Sequence, residues 1–158
     1  MVALTTGNAK AALRDRGDDL YETPAVATEA LLRVEPLPNK IWEPACGPGA
    51  IVGVLRDAGH EVIAGDLVDY GCPMSFKGID FLMETRAPHN VECVVTNPPF
   101  KLANQFVAKA LDLCPKVVML LRLAFLEGTG RSPIMDSGHL ARINLISVCG
   151  IFGKRLCV

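Results

Sequence analysis

Asn97-Pro98-Pro99-Phe100 closes the apolar run Val91-Glu92-Cys93-Val94-Val95-Thr96. Two consecutive prolines fix the backbone and remove two N–H donors. What remains is a pair of acceptors, the Asn97 side-chain oxygen and the Pro98 carbonyl. Such a pair suits an amino group. Aimed at its hydrogens, the two oxygens favour the change from planar toward tetrahedral that accompanies attack on a carbon. Phe100 adds a flat face on which a base could stack. The plainer reading is a strand-ending turn followed by a core phenylalanine. The residues upstream weigh against it.

Lys40-Ile41-Trp42-Glu43 runs into Pro44-Ala45-Cys46-Gly47-Pro48-Gly49, a tight turn with a helix pattern directly behind it. Gly47 and Gly49 let the backbone approach a ligand, and the helix start offers unpaired N–H groups and a positive dipole end. Asp66 ends the next strand 19 residues after Gly47. In a nucleotide-binding α/β unit a carboxylate there reaches ribose hydroxyls. A dinucleotide would call for Gly-x-Gly-x-x-Gly, but the third glycine, Gly53, comes one position late. Glu43 on the entering strand is a poor neighbour for a pyrophosphate. It suits the ammonium and sulfonium of S-adenosylmethionine. No Gly-x-x-x-x-Gly-Lys-Ser/Thr is present, which excludes a P-loop.

These residues need a scaffold, and the hydrophobic pattern supplies one. Thr23 and Pro24 suit the N-cap and first position of a helix with Ala27, Ala30, Leu31 and Val34 on its apolar face, which should end before Pro36 and Pro38. Strands are expected over 40–43, 61–64, 91–96 and 116–121, with helices over 50–58 and 101–114 between them. Residues 67–78, with Gly71, Pro73 and Gly78, read as loop, and 79–82 as a short strand or turn. A short helix over 131–141 and one strand over 143–152 complete the order. The strand runs are continuously apolar, which predicts a Rossmann-like, doubly wound, mostly parallel sheet with helices on both faces. Residues 1–20 read as a flexible lead-in and 21–158 as a single domain.

Composition bounds the rest. The chain has 158 residues, half of them apolar and 21% charged, enough for one core and against gross disorder. No apolar run reaches the ~18 residues of a membrane span, and the first ten residues lack a secretory core. The expectation is a soluble cytoplasmic protein with no membrane partner. Six cysteines, at 46, 72, 93, 114, 149 and 157, form no Cys-x-x-Cys and do not cluster with the histidines at 60, 89 and 139. They read as reduced buried thiols, with no metal site. Residues 1–115 hold 10 Lys+Arg against 15 Asp+Glu, and residues 116–158 hold 6 against 2. The basic last quarter, with Arg122, Arg131 and Arg142, reads either as a solvated face or as a surface for phosphates.

The order of these motifs resembles that of the amino-methyltransferases of nucleic acids, notably the adenine-specific DNA methyltransferases whose N-terminal motif precedes the cofactor loop. Tyr21-Glu22-Thr23-Pro24 resembles that N-terminal motif, implying contacts near the methionine carboxylate. Glu43-Pro44-Ala45-Cys46-Gly47-Pro48-Gly49 resembles the cofactor loop, Asp66 the ribose-binding acid, and Asp80-Phe81 the pair at the adenine ring. Asn97, Pro98, Pro99 and Phe100 resemble the catalytic motif. The resemblance spans roughly residues 20–125. It implies a class I methyltransferase fold, S-adenosylmethionine as cofactor and nucleic acid as partner, with DNA favoured over RNA. The implied mechanism is direct in-line methyl transfer to an exocyclic amino nitrogen, after the base has been flipped from any duplex.

Two features depart from that family. No segment reads as a target-recognition region, and the residues after Ala141 hold material for about one strand where the family has a hairpin of two. Three alternatives therefore stay open: an RNA or protein-glutamine amide methyltransferase, a shortened cofactor-binding protein without activity, and a nicotinamide-dependent oxidoreductase.

Overall fold

In the computed structural model the described residues are 20–127, 132–147 and 156–157. Helix α1 spans Ala25–Val34, strand β1 Lys40–Glu43, helix α2 Ala50–Asp57 and strand β2 Glu61–Asp66. Strand β3 is Ser75–Lys77, strand β4 Cys93–Thr96, helix α3 Ala103–Leu113 and strand β5 Lys116–Met119. The five strands form one sheet in the order β3-β2-β1-β4-β5, and every pairing is parallel.

The continuous apolar runs are explained by the two faces of this sheet. Ile41, Cys93 and Val95 point to the face that packs with Ile51, Val52 and Leu55 of α2 and partly buried Leu31 of α1. Trp42 and Val94 point the other way, onto Phe106 and Ala110 of α3 and onto Phe81. Side chains alternate along each strand, but both faces are covered, so the period of two is hidden. Phe81 and Phe106 are fully buried, with ring centroids 4.9 Å apart, and Trp42 meets Phe81 edge-on at 5.1 Å.

Several boundaries differ from expectation for identifiable reasons. The N-cap of α1 is Pro24 (φ −59°, ψ 135°), with no side-chain cap. Thr23 lies one residue outside, and its hydroxyl accepts a hydrogen bond from Asn97 instead. Strand β3 falls in a stretch expected to be loop; it is three residues long, one half-buried and two exposed, so no apolar pattern announces it. Residues 81–83 form a 3-10 turn, capped by Asp80, whose Oδ1 accepts from Leu82 N at 3.1 Å. Helix α3 is preceded by a 3-10 turn over Phe100–Leu102, and another 3-10 turn spans Leu123–Glu127. The expected helix over 131–141 is reduced to α4, Ser132–Met135. In place of one strand over 143–152, β6 (Ile146–Ser147) pairs antiparallel with β7 (Leu156–Cys157) in a separate two-stranded sheet. Residues 1–19, Arg131 and 148–155 lie outside the described residues, and with them the expected lead-in, apart from Leu20.

Candidate functional site

The carboxyl ends of β1, β2 and β4 open into one cleft. Its walls include Tyr21, Thr23, Ala45, Cys46, Gly47, Asp66, Tyr70, Asn97 and Pro99. The turn between β1 and α2 forms its floor. Gly47 has φ +52° and Gly49 φ +100°, a left-handed region that disfavours side chains. Gly49 is also held by space: a Cβ there would lie 2.8 Å from Cys72 Sγ. A Cβ on Gly47 would meet Leu20 Cδ1 at 3.4 Å, so the chain entering α1 lies directly over the turn.

Asp66 is buried at the end of β2 and braces the turn. Its Oδ2 accepts from Gly47 N at 2.9 Å and its Oδ1 from Val68 N at 3.1 Å. Cys46 N donates to Gly65 O at 3.0 Å, a second tie between turn and strand. The glycine turn is thereby fixed before any ligand arrives, the preorganisation that tight binding requires.

Glu43 occupies a different position from the one its charge suggested. It is fully buried beneath the turn and does not line the cleft. Oε1 accepts from Thr96 Oγ1 at 2.5 Å and from Ala45 N at 3.3 Å, whereas Oε2 has no hydrogen-bond partner among the described residues. Burial pushes this carboxyl up to about 8, against the smaller lowering effect of the Thr96 and Ala45 bonds. At neutral pH it is mostly protonated. A protonated Glu43 does not repel a pyrophosphate, and the displaced third glycine, Gly53, is what disfavours a dinucleotide.

Asn97 stands where the cleft meets the end of β4. Its Nδ2 donates to Thr23 Oγ1 at 3.0 Å and to Tyr21 O at 3.3 Å. A carbonyl can only accept, so the Tyr21 contact fixes which end of the amide is nitrogen. The amide nitrogen is engaged with the entering chain, and Oδ1 is the end available to a further donor. Pro98 is fully buried and Pro99 lines the cleft. Phe100 is half-buried outside the lining, and Arg122 Cζ lies 3.5 Å from its ring centroid.

The structure thus gathers Tyr21, Thr23, Ala45, Cys46, Gly47, Asp66, Asn97 and Pro99 around one cleft, with Gly49 shaping its floor. Pro24 caps α1, and Pro44 is buried under the turn. Asp80 and Phe81 are not brought to the cleft: one caps its own turn, the other fills the core between Trp42 and Phe106. Sequence reasoning missed Thr96, the partner of Glu43, and Tyr70, whose position after Asp66 was the one available signal. The described cysteines 46, 72, 93 and 114 are free and buried. Among the described residues no cluster of three His, Cys, Asp or Glu could hold a metal, and no helix is long and apolar enough to cross a membrane.

No protein-family model and no curated protein matches the sequence. Solved structures do. A protein from Pyrococcus horikoshii assigned as an RNA methyltransferase is 18% identical with a TM-score of 0.61, over 77% of this chain and 69% of that one. A protein from Thermoplasma acidophilum is 15% identical with a TM-score of 0.53, over 81% and 80%. The modification subunit assigned to a type I restriction enzyme from Vibrio vulnificus is 15% identical with a TM-score of 0.51; 82% of this chain is covered but only 40% of that one. Likeness at this level is likeness of fold: the chain has the Rossmann-like α/β fold of class I methyltransferases.

Proposed function

We propose that this chain binds S-adenosylmethionine in the cleft over the glycine turn and transfers its methyl group to an exocyclic amino nitrogen, with adenine in DNA the favoured acceptor. The observation that carries this reading is the setting of Asn97. Its amide nitrogen is held by Thr23 and Tyr21, which leaves an acceptor oxygen at the edge of the cleft that Gly47 and Asp66 line. Gly47 and the buried Asp66 carboxylate fit such a cofactor: a bare backbone turn for close approach, and an acceptor for ribose hydroxyls. Tyr21 and Thr23 lie on the side expected to meet the methionine end, and Tyr70 adds an aromatic wall.

When bound, S-adenosylmethionine supplies a methyl group already activated for displacement. The chain's own contribution is orientation and fixed dipoles. Asn97 Oδ1 and the Pro98 carbonyl accept from the amino hydrogens, and Phe100 offers a ring face for the base.

Asn97→Ala tests the assignment. Turnover should fall by roughly two orders of magnitude, the usual cost of removing one oriented polar contact at a reacting centre. Calorimetric affinity for S-adenosylmethionine should stay within about threefold. Unchanged turnover would remove Asn97 from the mechanism. RNA is the second acceptor to assay, because the Pyrococcus neighbour is assigned as an RNA methyltransferase.

A further inference from the structure

Arg122 leaves β5 at the same edge of the sheet at which Asn97 to Phe100 leave β4. The two strands run parallel with Thr96 opposite Met119, and Leu120 N donates to Thr96 O at 3.0 Å, carrying the ladder past the last strand residue. The segments that follow are therefore neighbours. The guanidinium carbon of Arg122 lies 3.5 Å from the centroid of the Phe100 ring, a close cation–π stack.

Stacking fixes the guanidinium but uses none of its five N–H donors. Among the described residues the Arg122 guanidinium meets the Phe100 ring and no hydrogen-bond or ion-pair partner, while its backbone carbonyl accepts from Phe125 N at 2.8 Å. Other arginines are engaged differently. Arg56 donates to the Pro73 and Val62 carbonyls. Arg142 donates to Val34 O and to the Glu35 carboxylate. A planar cation that is pinned by its face and open at its edge, on the ring beside the acceptor position, is built to receive a planar or tetrahedral oxyanion.

We infer that Arg122 binds a backbone phosphate of the strand carrying the acceptor base, so that the acceptor is a nucleic acid and not a protein side-chain amide. This deepens the methyl-transfer reading and rests on it. Arg122 covers one face of Phe100, so a base stacked on this ring would take the other face. A neutral glutamine amide would give the guanidinium edge no anion to meet, whereas each nucleotide brings one phosphate within reach of its base.

The test is fluorescence anisotropy of the full chain with a labelled single-stranded DNA oligonucleotide and its RNA counterpart, at several salt concentrations. Wild type, Arg122→Gln and Arg122→Lys are compared, each with S-adenosylmethionine affinity measured separately as the control for folding. Arg122→Gln should weaken binding about tenfold, the loss of one charge-assisted contact. It should also reduce the salt slope by about one phosphate's share. Arg122→Lys should keep the slope but bind less tightly than wild type, because the charge survives and the stack does not. An unchanged affinity and slope in Arg122→Gln would overturn the inference, as would a wild-type chain that binds neither oligonucleotide. A chain that binds the cofactor and methylates a peptide but no oligonucleotide would overturn this inference and leave methyl transfer standing. A chain that binds oligonucleotide through Arg122 but no S-adenosylmethionine would overturn methyl transfer, and with it the acceptor base, and leave only the phosphate contact standing.

Discussion

Glu43 is a carboxyl buried beneath the floor of the cleft, where its charged form is costly. Its carboxyl is enclosed beneath the glycine turn with one oxygen bonded to Thr96 and Ala45 and the other without a partner among the described residues. Burial raises it to about 8 from an ordinary 4.5, so between those values the native chain holds a proton that the unfolded chain has lost. The sign follows: the stabilisation is complete below about 4.5 and is lost as pH rises toward about 8. Glu43→Gln, which cannot ionise, should flatten that decline, which is on the order of a few kcal/mol for a shift of this size. Urea midpoints at pH 5 and pH 8.5 measure it. The same pH dependence in both proteins would mean that Glu43 is not the group responsible. Asp66, only one strand away, has a different task, since both its oxygens hold backbone N–H groups of the chain that shapes the cleft.

The turn between β1 and α2 is held by geometry on two counts, and they can be separated. Gly49→Ala should lose about 1–2 kcal/mol to its left-handed backbone and a further amount to the contact with Cys72 Sγ, 2.8 Å from the new Cβ. Adding Cys72→Ala should restore the second part and leave the first. Chemical denaturation of the single and double variants reads both. If Gly49→Ala is as stable as wild type, the turn is not under the constraint described.

This turn was legible in sequence because glycines at two spaced positions after a strand have few other uses. Strands β2, β4 and β5 were legible as apolar runs, fully buried in β4 and half-buried in β5, and β1 as the short apolar step into the glycine turn. Strand β3 was not, because Phe76 is 63% exposed and three residues carry no period. Asp80-Phe81 illustrates a different limit. Its spacing gives no information on whether the ring turns toward the cleft or the core, and packing against Trp42 and Phe106 decides for the core. The Arg122–Phe100 stack joins two loops that the sequence separates, so only the parallel pairing of β4 and β5 reveals it.

Across the whole molecule, the central strands and the cleft should open by different routes. Cys93 lies in β4 with no exposed surface, between neighbours on both sides of the sheet, and burial pushes its thiol up to about 12. Cys46 sits in the glycine turn at 7% exposure, and burial together with nearby Cys72 raises it to about 12 as well. Both thiols are therefore protonated and slow toward alkylating reagents in the native state. Exposing Cys93 requires the sheet to come apart, so its modification should track global unfolding. Cys46 lines the cleft beside the Leu20–Thr23 segment, so its exposure is expected to need a local opening around the cleft, which costs less. Alkylation mapped by mass spectrometry in sub-denaturing urea should find Cys46 modified first. Saturating S-adenosylmethionine should slow Cys46 by closing the local route, and slow Cys93 only by the stabilisation that binding confers on the folded state. Equal rates at the two positions without cofactor would mean that the cleft and the sheet open as one unit. The segment over the glycine turn would then be part of the core and not the entrance to the site.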